Sequence, residues 1–552
     1  MVALKELALK YVLQNAVFYH GKADPGAVLG KILGANPHLR KKVPEVKKEV
    51  EKAVQKVNAM SLEEQHKTLK GMKPSMLKKE VKKHEGLPEI RGALRGRFVT
   101  RFAPSPTGPL NLGQFLRAAV VPYLYAKKYN GKFVVRIEDT DLKKIEKKFY
   151  DMIEEDLKIT GIKWDKLVLE SDSMETYYEH AEHLIKSKKA YVCRCPADDF
   201  KKAKMARKAC KCRPGSDLKA WKDMLKGKYR EGEVIVRFKT SMSHSNPAMR
   251  DPPMLRVAKG KHPLKGTKYK VWPLYNFACA VEDHQLGITH VFRGKEHEHN
   301  TAVQKLFYNA FRWRVPEFLN FGMVYLPGTK IHTRDMKEWI EEGRASGWDD
   351  PRLPTVRALL RRGFRPEALL KFAQDVGITK NDIRVGWENI EGINRKMIDP
   401  EADRYMVVTE PHLISLDGAP ETCEVSESVH PDFPKRGKRK MPLDLQEVYL
   451  SGEDFRHLLG KTVRLKGLGN IKLGKKSKYL GNEIVTDMPK IQWVSKPHVR
   501  VSLKSPDGPK KAIGEINLKN LKTGALIQME RIGFGRVDSV KGNDVTVYFA
   551  HR

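Results

Sequence analysis

The sequence has no long uninterrupted run of hydrophobic residues. No segment approaches the ~18 consecutive apolar residues that a membrane-spanning helix needs. The first residues, MVALKELALKYVLQNAV, space their apolar side chains helically, and Lys5, Glu6 and Lys10 break the apolar core that a secretory signal would have. These absences exclude a membrane-spanning or exported class and predict a cytoplasmic protein with no membrane partner.

Cysteine is also scarce, with 6 residues in a chain of 552. So few thiols in a long chain exclude a disulfide framework of the kind that small secreted proteins have. The sequence contains two C-x-C pairs, Cys193 with Cys195 and Cys210 with Cys212. Four thiolates can close a tetrahedral zinc site with no open position, so we predict a structural zinc ion. The alternative is a set of reduced thiols in a helical insertion.

Acidic residues are the minority charge. The chain has 67 Asp and Glu against 104 Lys and Arg, which leaves a net charge of +37. Proteins from hot environments have many charged surface residues, but of both signs, and here one sign dominates. A surplus of this size favours a polyanionic partner, and RNA is the obvious candidate.

No internal repeat or long low-complexity segment is evident, and the composition separates distinct regions. Residues 1–97 predict a basic helical domain, and residues 98–345 alternate β and α patterns. Residues 346–404 predict a helical connector, and residues 405–552 contain the short β-branched runs that are typical of antiparallel barrels. The predicted fold is multidomain α/β, with about three or four domains expected at this length.

The region from residue 98 begins with a strand, FVTRFAP, which leads into a turn rich in Pro and Gly. A helix follows over residues 114–129, with Pro122 inside it, and KFVVRIED predicts the next strand. A strand, a turn and a helix that opens near Gly113 place backbone N–H groups where phosphates bind. The run VWPLYNFACAVEDH predicts a further apolar strand, which makes Cys279 a core residue.

Two basic clusters in the last region are the predicted RNA contacts. They comprise Lys435, Arg436, Lys438, Arg439, Lys440, Lys475 and Lys476. Further cations extend them into a stripe that can follow a phosphate backbone: Arg357, Arg361, Arg362, Lys201, Lys202 and Lys204. Because phosphate contacts release counterions, binding should weaken strongly as salt rises.

Several longer segments together resemble an archaeal-type glutamyl-tRNA synthetase of class I, over essentially the whole chain. They are RFAPSPTGPLNLGQ, RIEDTD, YVCRC, VWPLYNFACAVEDH, THVFRGKEH, GWDDPRL and WENIEGINRKMIDP. The resemblance implies a Rossmann-like catalytic domain with a zinc and acceptor-stem insertion over about 190–270, a helical connector and anticodon-binding β-barrels. It also implies tRNA as partner and glutamate, ATP and magnesium as ligands of a working enzyme.

The resemblance implies an amino-acid pocket whose positions are all retained. Arg101 and Arg293 correspond to the cations that pair with glutamate carboxylates, for which the guanidinium fork is suited. Ser105 and Glu138 correspond to positions near the polar groups of the amino acid. Tyr275 and Asn276 correspond to the pocket wall.

The two ATP signatures of that family are degenerate here. Its His-x-Gly-His tetrad reads Asn111-Leu112-Gly113-Gln114, and its loop lysine corresponds to Asp335. Loss of one donor to a developing anion costs ~10²- to 10³-fold in rate, and the combined defect is expected to be ~10⁴-fold or more. A carboxylate facing a triphosphate adds repulsion. The nearby Lys330, His332 or Arg334 can substitute only if the loop shifts.

Three functional hypotheses follow from these signatures. The first is a pseudoenzyme of translation, which binds tRNA, ribosomal RNA or the ribosome and has lost most or all ligase activity. The second is an active glutamate–tRNA ligase that uses ATP and magnesium through a rearranged phosphate loop. The third is an accessory subunit that delivers tRNA to another synthetase.

Overall fold

The computed structural model describes residues 2–18, 21–73, 76, 86–215, 217–327, 332–419 and 424–552. Lys330 and residues 77–85 of the predicted N-terminal domain lie outside the described residues. The chain forms two compact units, residues 1–85 and 86–552. Among the described helices, none combines the length and the hydrophobicity that crossing a bilayer requires.

The first unit is helical, as its apolar spacing predicts. Val46, Val50 and Val57 lie on one face of the third helix and are buried. Ser61 and Glu64 form a reciprocal capping box at the start of the fourth helix. Its helices are α1 (Val2–Phe18), α2 (Pro25–Ala35), α3 (Val43–Asn58) and α4 (Leu62–Met72).

Residues 86–97 belong to the second unit. The backbone N–H of Ile90 donates to the Tyr129 hydroxyl over 2.8 Å, and Lys128 lies 2.7 Å from the Glu89 carboxylate. This segment therefore packs against the end of the helix that follows the first strand, because Lys128 and Tyr129 at that end bind its polar groups.

The second unit begins with a parallel sheet of the predicted βα type. Three strands pair in the order β1-β2-β3. Thr289 donates its backbone N–H to Val99 over 2.9 Å, which places the strand after Thr289 beside β1. The elements are β1 (Val99–Phe102), α5 (Leu112–Gln114), a π-helical segment (Phe115–Val120), α6 (Val121–Lys128), β2 (Lys132–Ile137), α7 (Lys147–Ile159), β3 (Lys166–Leu169) and α8 (Met174–Lys186).

An antiparallel four-stranded sheet, β4-β5-β6-β7, is inserted next. It has β4 (Ala190–Cys193), α9 (Ala197–Met205), α10 (Leu218–Leu225), β5 (Ile235–Phe238), β6 (Pro253–Val257) and β7 (Val271–Pro273). The chain then returns through α11 (Tyr275–Gln285), β8 (His290–Gly294), α12 (Glu298–Phe311), β9 (Glu317–Phe321), β10 (Val324–Tyr325) and α13 (Thr333–Glu341).

The strand predicted for VWPLYNFACAVEDH is wrong beyond Pro273, because the chain turns into α11 there. Cys279 is buried as predicted, but it lies on a helix. Most of α11 is surrounded by protein, so its sequence is apolar on nearly every face. A short run of this kind does not distinguish a buried strand from a buried helix.

The connector has α14 (Val356–Arg362), α15 (Pro366–Val376), β11 (Ile383–Arg384) and α16 (Trp387–Ile398). The last region forms two seven-stranded sheets and one hairpin. Most strand pairs are antiparallel, as expected. Parallel pairs, such as residues 500–504 with residues 544–548, bring together strands that are distant in sequence.

The elements of this last region are β12 (Asp403–Tyr405), β13 (Val407–Thr409), β14 (Pro411–Asp417), β15 (Glu424–Ser428), β16 (Lys438–Pro442), β17 (Val448–Ser451), α17 (Gly452–Leu458), β18 (Thr462–Leu465), β19 (Gly469–Lys472), β20 (Lys476–Gly481), β21 (Lys490–Ile491), β22 (Val494–Ser495), β23 (His498–Ser505), β24 (Gly508–Glu515), β25 (Leu526–Met529), β26 (Gly533–Lys541) and β27 (Asp544–His551). The strand orders of the two large sheets are β12-β25-β26-β27-β23-β24-β13 and β21-β18-β19-β20-β14-β17-β22, and β15 and β16 form the hairpin.

His551, where β27 meets the connector, predicts acid sensitivity. Burial, together with nearby Arg395 and Arg362, lowers the pKa of His551 to about 4, and Asn394 donates to its Nε2 over 2.9 Å. The unfolded state therefore binds the proton more readily, so this stabilisation is complete above pH ~6.5 and is lost as the pH falls towards ~4.

We expect His551 alone to lower the free energy of unfolding by about 2 kcal/mol between pH 7 and pH 5. Denaturant titrations of the protein and of His551→Gln at both pH values measure this difference. A variant that loses as much stability on acidification as the unsubstituted protein would contradict the assignment.

Candidate functional site

A cavity of about 420 Å³ lies at the carboxyl ends of the parallel strands. Arg101 is in β1, Glu138 directly follows β2, and Arg293 is in β8. Tyr275, at the first position of α11, completes the wall, and all four residues line the cavity. Ligands of open parallel sheets bind at this edge, where the loops after the strands converge.

Arg101 belongs to a buried charge network. Its Nε donates to Asp283 over 3.1 Å, and Arg136 donates to the same carboxylate oxygen. Although burial raises the pKa of Asp283, the two guanidinium groups outweigh it and hold that pKa below its ordinary value. Asp283 therefore stays ionised and fixes Arg101 at the cavity wall.

Arg293 has a partly free guanidinium. Its Nη1 donates to Gln304 over 3.0 Å, and its Nη2 donates to Thr301. The side chain packs over the Phe318 ring at 4.6 Å and is 5% exposed, and its Nε has no hydrogen-bond partner among the described residues. Burial lowers the pKa of Arg293. A buried cation with an unused donor is suited to a carboxylate ligand.

Glu138 lines the same cavity as these cations. Its Oε1 accepts from Arg136 at 3.0 Å and from Cys279 at 3.3 Å. The Tyr275 hydroxyl lies 3.5 Å from Nδ1 of His297, whose pKa is lowered by burial. The sequence analysis missed Cys279 and His297 as neighbours of the cavity. If the helix α11 had been predicted, the spacing of four residues would have placed Cys279 on the same helix face as Tyr275, which lines the cavity.

Two predicted pocket residues are not among the described residues that line the cavity. Asn276 accepts from Gln304 over 3.2 Å, so it contacts Arg293 through that amide. Ser105 is partly exposed in the loop after β1. The structure thus brings together four of the six predicted residues at one cavity and links a fifth, Asn276, to Arg293 through Gln304.

The first signature loop is held by the connector. Asn111 caps α5, since its Oδ1 accepts from the Gln114 backbone N–H over 2.8 Å. Leu112 donates to Pro354 over 2.8 Å, and Val356 donates to Leu110 over 2.9 Å. Both amide side chains of the degenerate tetrad line the cavity. They are neutral donors at the edge where phosphates bind.

The second signature has a different orientation from the expected one. His332 and Thr333 line the same cavity as the tetrad. Asp335 lines a separate cavity of about 810 Å³ instead, beside Trp339 and Arg362. Residues two apart on a helix point ~200° apart, because each residue turns the helix by ~100°. The expectation that this carboxylate faces the triphosphate is therefore corrected.

The four predicted zinc ligands converge. The sulfur atoms of Cys193, Cys195, Cys210 and Cys212 all lie within 4.8 Å of one another. The Sγ atoms are 3.9 Å apart for Cys193 and Cys210, and 3.6 Å apart for Cys195 and Cys212. A tetrahedron with Zn–S bonds of ~2.3 Å has edges of ~3.8 Å, so the residues fit a zinc ion. The separations exclude a disulfide, whose bond is ~2.05 Å.

The basic residues divide into paired and free ones. Arg439 is 7% exposed and donates to Glu515 over 2.9 Å, so its assignment as an RNA contact is wrong. Arg436 lies 3.0 Å from Asp403, and Lys440 lies 2.7 Å from Glu424. The predicted contacts that are exposed and make no ion pair within the described residues are Lys435, Lys438, Lys475 and Lys476.

The connector arginines are structural. Arg361 pairs with Asp538 at 2.9 Å and with Asp349 at 2.8 Å, and Arg357 pairs with Asp156 at 2.8 Å. Arg362 is buried and donates to the backbone carbonyl of Phe549 over 2.9 Å. Their predicted place in an RNA-binding stripe is therefore wrong, because carboxylates and carbonyls of the fold already occupy them.

Comparisons with known proteins agree along the chain. Residues 97–400 match the family described as tRNA synthetases class I (E and Q), catalytic domain, and residues 402–488 match the anti-codon binding domain of that group. The glutamate–tRNA ligase of Pyrococcus furiosus is 43% identical over 574 residues, with 100% of both chains covered. That of Methanothermobacter thermautotrophicus is 38% identical over 561 residues, also with 100% of both chains covered.

Proposed function

Since the chain belongs to the class I glutamyl and glutaminyl tRNA synthetase family, we propose that it is a glutamate–tRNA ligase. The observation that carries this proposal is the single cavity that holds Arg101, Arg293 and Glu138 together with both signature loops. Relatives that match over the full length of both chains carry that name. The second of the three hypotheses is therefore the favoured one.

The cavity can hold glutamate between charges of opposite sign. Arg293, with its unused Nε–H, and Arg101 would bind the two carboxylates, and Glu138 would bind the ammonium group. Asn111, Gln114, His332 and Thr333 would contact ATP at the strand ends. The glutamate α-carboxylate attacks the α-phosphorus, pyrophosphate leaves, and a terminal tRNA hydroxyl then displaces AMP. Magnesium, when bound, would neutralise the pyrophosphate.

The proposed partner is tRNA. The net charge of +37 and the exposed Lys435, Lys438, Lys475 and Lys476 support contact with a phosphate backbone. Nothing in the comparisons supports ribosomal RNA or the ribosome as a partner. The four-cysteine cluster would hold a structural zinc ion in the inserted sheet, which in this family lies where the acceptor stem docks.

Charging of purified tRNA with labelled glutamate tests the proposal directly. We expect ATP-dependent transfer, and glutamate-dependent ATP formation from pyrophosphate when tRNA is included. Salt-sensitive tRNA binding without transfer would instead support the pseudoenzyme hypothesis, for which the degenerate tetrad is the specific observation. Co-purification with another synthetase would favour the accessory subunit.

Asp335→Ala is expected to change the charging rate by less than about 3-fold, because Asp335 lies outside the cavity. A carboxylate that faced the triphosphate would give the opposite result, a gain of about 10-fold or more on removal. Steady-state charging at saturating tRNA measures the difference. Thr333→Ala is the matched control for a side chain that does line the cavity, since Thr333 is on the same helix as Asp335.

A further inference from the structure

Arg117 is a buried cation at the edge of the candidate nucleotide site. It is 2% exposed and lines the cavity that also contains Asn111 and Gln114. Its position three residues after Gln114 brings the two side chains to one face of the helix. The sequence analysis assigned it no role.

The guanidinium of Arg117 is held in place by backbone and aromatic groups. Nη1 donates to the Gly377 carbonyl over 2.6 Å, and Nη2 donates to the Thr379 carbonyl over 3.2 Å. The group also lies over the Phe321 ring at 5.0 Å. These contacts fix the plane of the fork, and its Nε, a buried donor, has no hydrogen-bond partner within the part of the chain that the structure describes.

Arg117 has no anionic partner in the described part of the chain. Arg101 and the neighbouring Arg136 share Asp283, whereas no described carboxylate pairs with Arg117, and burial lowers its pKa to about 10. A buried charge without a counter-ion is costly, and carbonyl contacts do not neutralise it. Such a group is stabilised when an anion enters the cavity.

The helix departs from α geometry at this residue. Phe115–Val120 form a π-helical segment between α5 and α6, and Arg117 lies within it. Short π-helical segments are rare overall, and those that occur are frequently found at functional sites. The π-helical segment and the unpaired charge thus coincide at one position.

We propose that Arg117 is the cation that binds the phosphates of ATP in this cavity, in place of the family's signature histidines and lysine. This role rests on the proposed ligase function for its ligand. It assigns the ATP-binding charge to the first loop and its helix, and not to residue 335, whose side chain lines another cavity.

Equilibrium binding of ATP and of adenosine, each with magnesium, tests the role in the full chain. Arg117→Met is expected to weaken ATP binding by about 10- to 100-fold and to change adenosine binding by less than about 2-fold. Arg117→Lys, which keeps the charge and loses the fork, should recover part of the ATP affinity. Equal losses for both ligands, no loss, or no preference for ATP in the unsubstituted protein would overturn the proposal.

Arg362→Met is the matched control for stability. Arg362 is also buried, donates to two backbone carbonyls, and has a pKa lowered by burial to about 10, but it lines the other cavity. The Arg362→Met variant should lower the melting temperature as Arg117→Met does, and it should leave the preference for ATP over adenosine unchanged. If the protein prefers ATP through Arg117 but charges no tRNA, the ligase proposal fails and this one stands.

Discussion

Arg293→Met is expected to lower kcat/KM for glutamate by about 100-fold or more, mainly through KM. The substitution removes a buried charge whose Nε is without a partner in the described ranges of the chain and whose other nitrogens are aligned by Gln304 and Thr301. A hydrogen bond between charged groups contributes about 1.5–3 kcal/mol, and loss of a second donor adds to this. Initial rates of tRNA charging over a range of glutamate concentrations measure the effect.

Arg293→Lys is the conservative control for that experiment. It keeps the positive charge but loses the planar fork, so we expect a smaller loss of about 10-fold. KM for ATP should stay within about 3-fold in both variants, because Arg293 is assigned to the amino acid. A variant that loses affinity for ATP and glutamate equally would show that Arg293 only maintains the fold of the cavity.

Cys210→Ser is expected to remove zinc from the protein and to loosen the inserted sheet. In small zinc domains the free energy of zinc binding is about 10–16 kcal/mol. If four thiolates share it equally, the loss of one ligand weakens zinc affinity by roughly 100-fold or more. Two further groups surround this thiol: Tyr191, whose hydroxyl lies 3.5 Å from its sulfur, and Cys193 at 3.9 Å. Elemental analysis of dialysed protein and hydrogen exchange of β4–β7 measure both consequences.

Cys279→Ser is the matched control, since Cys279 lies outside the cluster and contacts Glu138 instead. It should retain one zinc ion per chain and normal exchange in the inserted sheet. Zinc-free protein that keeps β4–β7 protected would support the alternative of reduced thiols. The pKa of the Cys195 thiol, raised by burial to about 12 without metal, means that zinc must displace its proton on binding.

The fold class and the cysteine cluster could be predicted because their determinants are local. Cys193, Cys195, Cys210 and Cys212 lie within one short stretch, and two closely spaced pairs leave few geometries other than a common centre. The alternation of strand and helix patterns from residue 98 likewise predicts a parallel sheet with its ligands at one edge. Arg101, Glu138 and Arg293 were assigned to an amino-acid pocket by the family resemblance, and all three line one cavity.

Sequence patterns failed where the answer depends on partners far along the chain. Arg439 looked like an RNA contact, but Glu515, 76 residues away, neutralises it in the interior. Asp335 looked like an obstacle to ATP, but about half a helical turn separates it from Thr333 and directs it into another cavity. Cys279 was placed on a strand because a fully buried helix shows no periodicity of exposure.

The sequence by itself therefore determined the family, the order of its catalytic and anticodon-binding regions, the four-cysteine cluster and the replacement of the signature histidines and lysine. Only the tertiary structure decided which charges are neutralised within the protein and which remain for a ligand, because long side chains are paired or left unpaired by elements that meet only on folding. Arg117 shows this most clearly: its sequence neighbours are ordinary, and its missing counter-ion is evident only when Gly377, Thr379 and Phe321 surround it.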